Sequence, residues 1–428
     1  MSKQKIITSY SFKDFSLSEK YQKKLARRHF REKLLKISGL SAIIISCSFL
    51  LFLIFNILYK ANGAFFTTYV RTPIYLDGNL IKKDDRDYLE KFRYRSVLLK
   101  SISNNYKEIH NNRRDKMRAL NFFSKRADLD IRKFVLKNPD KIGEKVYIWL
   151  KASSKIDQYE KKNSKNLGDV HKLIYEKYFT PSDFKKKFNY TLFTKGDSTE
   201  PELAGIAAAF IGSIFTMVIF LLASFPLAVL LSLYLEEFAP KNKFSDLIEI
   251  NINNLAAIPS IIFGLLGLSI FINFFHMPRS SALVGGFTLS LMVLPTIVIA
   301  TRNSIKSIPT SIKTAALGLG ASKVQVALHH TLPLAMPGIF TGTILAVARA
   351  LGETAPLIMI GMIAFIVDIP ANFFDPTTVL PVQIYLWSNN PEIGFVEKTS
   401  AIILILLIFL ILFNAVAIYF RNKYSQKW

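Results

Sequence analysis

The feature that most constrains this chain is an uncharged, apolar run over residues 37–59. As a helix it would be ~34 Å long, enough to cross the hydrocarbon core of a bilayer. Residues 1–36 before it are rich in Lys and Arg, which favours a basic cytoplasmic segment. Because the run is too long for the apolar region of a signal peptide, we expect an uncleaved transmembrane anchor.

The second half of the chain is poor in charge, although the whole chain has 55 Lys+Arg and 31 Asp+Glu. It contains five further apolar segments, at about 203–235, 255–275, 282–300, 338–367 and 399–420. Six crossings would return the C-terminal tail, 421–428, to the cytoplasm. The predicted cytoplasmic loop 301–337 and the tail are basic, as the positive-inside rule requires, whereas residues 236–249 are net acidic and do not fit. We therefore predict an all-α polytopic membrane protein with six transmembrane helices.

Residues 60–202, between the first two crossings, are expected to form an extracytoplasmic, mainly helical insertion. The local predictions are a hairpin turn at Asp77-Gly78, helices over 84–100 and 144–159, and a helix N-cap at Ser182 or Asp183. No catalytic constellation stands out. Interleaved acidic and basic residues usually form a solvated face, and docking of a partner is the alternative. The sequence leaves the role of this insertion open.

Composition excludes several classes of protein. There is one cysteine, so no intramolecular disulfide framework and no cysteine-based zinc site is expected. The six histidines show no ligand spacing for a metal, and no phosphate-binding loop of the GxxxxGK[ST] type occurs. The net charge of +24 is not accompanied by a nucleic-acid-binding motif. We predict no metal, no cofactor, no nucleic-acid partner and no ATPase site of the chain's own.

Small residues are concentrated in the predicted cytoplasmic loop, where residues 314–322 read TAALGLGAS. Ala315, Ala316 and Leu319 are predicted to lie on one side of a short helix. Gly320 permits a sharp turn before a second short helix. Such a compact helix–turn–helix would fit a recess on another protein, although an ordinary loop between helices explains the composition equally well.

The string RALGETAP, at 349–356, holds the only Arg and the only Glu well inside a predicted apolar segment. Arg349 and Glu353 are four residues apart and can pair on one helix face. A charge inside a membrane is costly unless it is paired or faces water, so such residues often mark a transport path. The alternative is a pair that only neutralises itself. Arg302 is either a second anion contact or an anchor at the membrane interface.

These residues resemble a known family. The 314–333 loop, with Gly320 and Leu332-Pro333, resembles the EAA loop of ABC importer permeases. The 342–358 stretch is similar to phosphate permeases of the Pst type. Three further segments, YLEE at 234–237, IPSIIFG at 258–264 and LPVQIY at 380–385, resemble PstA rather than its PstC partner. The insertion is similar to that of extended PstA variants at 193–198 and 201–206.

The resemblance implies a MetI-like core of five helices after the anchor, with the permease core at 203–420. It implies a subunit of an ATP-driven importer for inorganic phosphate in the bacterial inner membrane, with 60–202 periplasmic. The implied partners are a dimer of ATP-binding subunits, a PstC-like second permease, a periplasmic phosphate-binding protein and membrane lipid. The substrate path would hold Arg349, Glu353 and Thr354. Coupling to the ATPase would use Thr314, Ala315, Ala316, Gly320, Ala321, Leu332 and Pro333.

Two positions depart from the family pattern. Thr314 stands where the motif opens with an acidic residue, and His330 stands where Ile precedes Leu332-Pro333, so one salt bridge to the ATPase is in question. The alternatives in function are an importer of sulfate or molybdate, a membrane sensor whose insertion binds a signal, and a membrane enzyme. A sensor would need a cytoplasmic output domain and an enzyme a catalytic constellation, and the sequence suggests neither.

Overall fold

The computed structural model describes residues 19–81, 86–105 and 113–424. The chain divides into one unit that ends at Tyr59 and a second that begins at Lys60. The first unit consists of most of one long helix, α1 (Glu19–Ala64), and the predicted anchor at 37–59 lies within it. The predicted tail begins in the described part, but residues 1–18 and 425–428 lie outside it.

The insertion is built on a three-stranded antiparallel sheet with the strand order β2-β1-β3. The strands are β1 (Phe66–Tyr75), β2 (Lys145–Lys151) and β3 (Phe184–Phe188). The helices are α2 (Arg86–Lys91), α3 (Arg95–Asn105), α4 (Arg113–Leu120), α5 (Asp128–Lys137), α6 (Ser154–Glu160), α7 (Asp169–Tyr178) and α8 (Tyr190–Thr194). Alternate residues such as Val70, Ile74 and Leu150 point to one face of the sheet and are buried in a core of their own.

Three local predictions for the insertion were wrong. The Asp77-Gly78 hairpin is absent, because β1 ends at Tyr75 and pairs with the distant β2 instead. Residues 144–159 are not one helix but β2 followed by α6, since Val146, Ile148 and Leu150 alternate with a period of two. The predicted N-cap at Ser182 or Asp183 precedes no helix. Thr180 caps a single 3₁₀ turn, Pro181–Asp183, after which β3 begins.

The helix predicted over residues 84–100 is confirmed only in part. Residues 86–91 and 95–105 are helical, with a break between α2 and α3, while residues 84 and 85 lie outside the described part of the chain. Tyr94 directly precedes α3, and its ring is buried in the core. Its hydroxyl donates to the Leu89 carbonyl at 2.9 Å. The break therefore lets a buried ring enter the core between two short helices.

The membrane part follows the insertion and is almost entirely helical. Its helices are α9 (Ala207–Leu233), α10 (Lys243–Ala256), α11 (Ser260–Gly267), α12 (Ala282–Lys306), α13 (Thr310–Gly318), α14 (Lys323–Gln325), α15 (Leu332–Gly352), α16 (Ala355–Met359), α17 (Leu380–Ser388) and α18 (Gly394–Tyr424). Three π-helical turns, Tyr234–Phe238, Leu268–Phe274 and Val326–Thr331, extend α9, α11 and α14.

Within the described residues, five helical stretches are long and apolar enough to cross a membrane. They are Tyr21–Ala64, Ala207–Phe238, Ala282–Lys306, Lys323–Gly352 and Gly394–Lys423. A sixth candidate is the pair Lys243–Ala256 and Ser260–Phe274, which bends by 105° at its break. The predicted class, an all-α polytopic membrane protein with a mainly helical insertion, is confirmed. The third predicted crossing, 255–275, is half of a bent pair rather than a straight helix.

The membrane helices approach each other closely where small residues meet. A Cβ added to Gly286 of α12 would lie 2.6 Å from the Ile219 Cβ of α9. One added to Gly342 of α15 would lie 2.2 Å from the Ala300 Cβ of α12. Because both distances are shorter than any real Cβ contact, these glycines are required for the packing. Helix α12 is therefore held between α9 and α15 at the centre of the membrane part.

The fifth predicted crossing, 338–367, was placed too far along the chain. The helical stretch that overlaps it begins at Lys323 and ends at Gly352, and the short α16 follows. Gly352 and Pro356 interrupt it, because glycine favours non-helical backbone and Pro356 cannot donate to the preceding turn. Arg349 and Glu353 pair as predicted, but they lie at a helix end rather than on one continuous helix in the middle of a span.

Candidate functional site

The first candidate site is the helix–turn–helix at 310–331, inside the 301–337 loop. Helix α13 ends at Gly318, and Gly320 turns the chain with a φ of +86°, a conformation that favours glycine. Ser322 then caps α14: its hydroxyl accepts from the Gln325 amide at 3.3 Å, and its own amide donates to the Gln325 side chain at 2.8 Å. The first short helix expected from the sequence is present, whereas the second is the beginning of a helical stretch that continues from Lys323 to Gly352.

The residues predicted to contact an ATPase do not all face the same way. Thr314, Ala315 and Gly320 are exposed, Ala321, Leu332 and Pro333 are half-buried, and Ala316 is buried. The predicted common side for Ala315, Ala316 and Leu319 is therefore wrong. Leu319 is 91% exposed, so the accessible surface of the turn is formed by Leu319 with Ala315. The Thr314 hydroxyl donates back to the Thr310 carbonyl of its own helix.

A cluster of ion pairs connects this loop to the end of α9 and to the middle of α10, and the sequence analysis missed it. The Arg302 side chain is held between Glu236, whose Oε1 is 2.5 Å from Nε, and Glu249, whose Oε2 is 2.6 Å from Nη2. Lys313 of α13 pairs with Glu237 at 2.6 Å. The sequence feature that could have revealed this cluster is the acidic segment 236–249, which broke the positive-inside pattern. Three of its carboxylates are neutralised by these basic partners.

This cluster indicates how Arg302 is used in the folded chain. The residue is 8% exposed, and its Nε and Nη2 each donate to a carboxylate. A buried arginine with two ionic partners is already neutralised within the fold. The geometry therefore favours Arg302 as an anchor between α12, the end of α9 and α10 over a second anion contact.

The second candidate site lies where two broken helices meet. Helix α11, which begins after the 105° bend, packs against α16, which begins after the break at Gly352. A Cβ on Gly264 would lie 2.7 Å from the Cα of Pro356, so the two short helices touch backbone to backbone. The IPSIIFG and GETAP segments, far apart in sequence, are therefore in contact. Interrupted helices inside a membrane protein are typical of substrate sites.

Arg349, Glu353 and Thr354 surround this break. Arg349 lies in the last turn of α15, and its side chain is 41% exposed. Its Nε is 3.7 Å from Glu353 Oε1, which is a loose ion pair rather than a close one. Glu353 and the half-buried Thr354 follow the end of the helix. Among the described residues, Glu353 is the only ion-pair partner of Arg349, so the outer part of its guanidinium is available to an anion.

A third polar site joins the insertion to the first turn of α18. The Glu397 carboxylate is buried and accepts from Lys161 at 3.0 Å, Gln158 at 3.0 Å and Asn163 at 2.5 Å. Lys161 also pairs with Asp157 at 2.5 Å. Because residues from 157–163 converge on one carboxylate of the last membrane helix, the insertion and that helix are fixed together.

A second set of buried contacts lies beside the same junction, on either side of it. The Lys151 ammonium donates to the Thr191 hydroxyl at 2.9 Å and to the Glu202 carbonyl at 3.1 Å, while Lys398 donates to the Ala204 carbonyl. Burial lowers the pKa of Lys151 and raises the pKa of Glu202. Sequence analysis regarded these charges as a solvated face, whereas the structure buries them between the insertion and the membrane part.

A cleft of about 890 Å³ opens beside this junction, between the insertion and residues 391–394. Its lining includes Arg118, Lys155 and His171 as well as Glu200 and Glu392. Burial lowers the pKa of His171. Because charges of both signs alternate around it, the cleft does not select anions or cations.

Two family models match this chain. The model described as the binding-protein-dependent transport system inner membrane component matches residues 203–427, which is more than half of the chain. The model described as a domain of unknown function (DUF3333) matches residues 22–167. The first match covers both the helix–turn–helix and the broken-helix site.

Two curated relatives are named as permeases, in agreement with the first of these models. The phosphate transport system permease protein PstA of Haemophilus influenzae is 34% identical over 200 residues, covering 47% of this chain and 70% of that protein. The probable ABC transporter permease protein YqgI of Bacillus subtilis is 30% identical over 247 residues, covering 54% and 82%. A solved structure of the inward-facing MetNI methionine ABC transporter aligns with a TM-score of 0.41 and 18% identity, over 52% of this chain and 96% of that one.

A multi-pass helical protein whose residues 203–427 match an inner membrane component of transport systems is a membrane permease by class. The chain belongs to the family of inner membrane components of binding-protein-dependent transport systems and is of the PstA type, with an extended N-terminal part. This confirms the family inferred from the sequence. Permeases of such ABC importers act in the inner membrane with an ATP-binding subunit and a substrate-binding protein.

Proposed function

We propose that this chain is the permease subunit of an importer for inorganic phosphate and forms half of the translocation path. The observation that carries the proposal is the exposed Arg349 at the contact between two broken helices. Two relatives, 34% and 28% identical to this chain over the matched residues, are named phosphate transport system permease protein PstA. ATP would be hydrolysed by a partner chain.

In this proposal Arg349 attracts the anion. Its planar guanidinium can donate to two oxygens at once, which suits a phosphate better than a point charge does. Glu353, at 3.7 Å, weakens the attraction so that the anion can leave, and the Thr354 hydroxyl offers a third polar contact. Sulfate and molybdate are the alternative substrates, since they are oxyanions of similar shape, and competition experiments separate the three.

We further propose that the helix–turn–helix at 310–331 contacts the ATPase. Its exposed surface is small and apolar at Ala315 and Leu319, so recognition would depend on shape rather than on the acidic residue that Thr314 replaces. Movement of this element would reach α9 through the ion pair between Lys313 and Glu237. A conformational change follows only if the ATPase binds the two states of the permease with different affinities.

The proposed topology places residues 1–36, 301–337 and 421–428 in the cytoplasm and the 60–202 insertion in the periplasm. It is supported by the basic residues of the cytoplasmic segments. The acidic residues of 236–249 no longer oppose it, because three of them are paired with Arg302 or Lys313. A PstC-like permease would supply the other half of the path, and a phosphate-binding protein would deliver the anion.

The test is uptake of radiolabelled phosphate by cells that lack their own high-affinity system and co-express this chain with its candidate partners. We expect uptake that requires ATP, persists in excess sulfate or molybdate, and is lost in Arg349→Ala. Arg279→Ala is the matched control, since Arg279 is also exposed but lies outside the broken-helix site.

The substitution Arg349→Lys separates two roles of the side chain. Loss of uptake in both Arg349→Ala and Arg349→Lys would support recognition of two oxygens by the guanidinium fork. Uptake retained by Arg349→Lys would limit the role to charge. An assembled complex that transports sulfate or molybdate but not phosphate would refute the proposed substrate.

A further inference from the structure

Five aromatic rings of the insertion form a connected and largely exposed cluster, Phe65, Phe66, Phe188, Tyr190 and Phe193. The Phe188 ring stacks on Phe193 with centroids 6.0 Å apart and meets the Tyr190 ring edge-on at 5.0 Å. Phe193 also stacks on Phe65 at 6.1 Å, and Phe66 meets Phe188 at 6.3 Å. Tyr190 is 72% exposed, and a contiguous apolar patch of this kind on a folded surface usually marks a contact with a partner or a membrane.

The cluster is fixed at the end of a membrane-spanning helix. The Ile206 amide donates to the Leu192 carbonyl at 2.8 Å, and the Ala207 amide donates to the Lys195 carbonyl at 3.0 Å. Helix α8 is thereby attached to the first turn of α9, which crosses the membrane. The aromatic residues of α8 consequently lie beside the beginning of a membrane-spanning helix.

A second attachment holds the strand side of the cluster at the same level. Asn189 is buried, and its side chain donates to the Ala64 carbonyl at 3.0 Å while its backbone amide donates to the Phe65 carbonyl at 2.8 Å. Ala64 is the last residue of α1, and β1 begins at Phe66. The end of α1 and the end of β3 are therefore joined beside the exposed rings.

Exposed lysines surround the rings, at positions 60, 185, 186 and 195. Aromatic rings with lysines at the end of a membrane helix are the composition of an interfacial belt, where the rings sit among headgroups and the ammonium groups reach lipid phosphates. A solvated face would hold the lysines without the rings, and a buried protein interface would be depleted of lysine.

We propose that this aromatic–lysine patch rests on the membrane and that its occupant is the phospholipid headgroup layer on the side that carries the insertion. The insertion then contacts the membrane directly, in addition to its junction with α18. Contact with lipid restricts the tilt of the insertion, so that its outer surface is presented at a fixed height above the bilayer. This proposal does not depend on which anion is transported.

The test places a nitroxide spin label on the full chain in vesicles of phosphatidylethanolamine and phosphatidylglycerol. The label is attached at Tyr190→Cys in a Cys47→Ser background, because Cys47 is the single native cysteine. The matched control is Glu176→Cys on α7, whose side chain is 61% exposed. Collision rates are measured with oxygen, which concentrates in lipid, and with a water-soluble nickel chelate.

We expect the ratio of oxygen to nickel collisions to be several-fold higher at position 190 than at position 176. A ratio equal to that of the control would overturn the proposal, because the ring would then face water. Exclusion of both reagents would also overturn it and would indicate that protein covers the patch. If Tyr190→Cys does not fold, Lys195→Cys at the exposed end of the same helix gives the same comparison.

Discussion

The junction between the insertion and α18 gives a prediction whose magnitude can be worked out. Glu397→Gln removes the charge that accepts from Gln158, Lys161 and Asn163 and turns an amide NH₂ toward these donors. Breaking a buried ion pair by removing one partner costs roughly 3–5 kcal/mol. Since Lys161 keeps Asp157 at 2.5 Å, we expect the lower end, about 3 kcal/mol, or roughly a hundredfold in the local opening equilibrium.

Hydrogen exchange of the full chain in lipid nanodiscs measures this opening. Peptides over 154–164 and 394–400 should exchange about a hundredfold faster in Glu397→Gln, because local exchange follows the free energy of local opening. Glu392→Gln is the matched control, since Glu392 is exposed just before α18 begins and surface substitutions usually change stability little. Equal exchange rates in the two variants would refute the argument, since the buried carboxylate would then contribute no more than a surface one.

Three further predictions concern the other sites. Lys313→Glu and Glu237→Lys should each abolish uptake, and the double exchange should restore it, because the 2.6 Å ion pair is then rebuilt with reversed charges. Gly264→Ala should reduce uptake and folded yield, since its Cβ would overlap a backbone atom of α16, whereas Gly39→Ala has open space around it and should not. Burial lowers the pKa of His171, so thermal stability of the insertion should fall as the pH decreases below 6.5 and His171→Gln should flatten that dependence.

Each of these predictions has a result that would contradict it. Failure of the double exchange to restore uptake would mean that Lys313 and Glu237 act separately. Normal uptake in Gly264→Ala would show that α11 and α16 need not touch during transport. Protonation of His171 opposes folding only if its pKa is lower in the folded state than in the unfolded state. A melting temperature that rises on acidification would show that the pKa shift has the opposite direction.

Sequence reasoning succeeded where a signal is contained in one segment. The membrane helices follow from uncharged apolar runs, and the turn at Gly320 follows from glycine's tolerance of positive φ. It failed at β2, where the period of two in Val146, Ile148 and Leu150 was taken for a helical pattern. Because β2 pairs with β1, some 75 residues earlier in the chain, no residue near β2 indicates which strand it pairs with.

The charged residues of the insertion were misjudged for the same reason, and this affects how its role can be studied. Lys161 and Asp157 look like a solvated i, i+4 pair until Glu397, on the last membrane helix, is brought to them by the fold. Deleting the insertion would leave Glu397 without its partners at the first turn of α18. Loss of transport in a deletion variant would then report a damaged helix rather than a missing docking surface. Substitutions on the outer surface of the insertion that keep 151–163 intact separate these two causes.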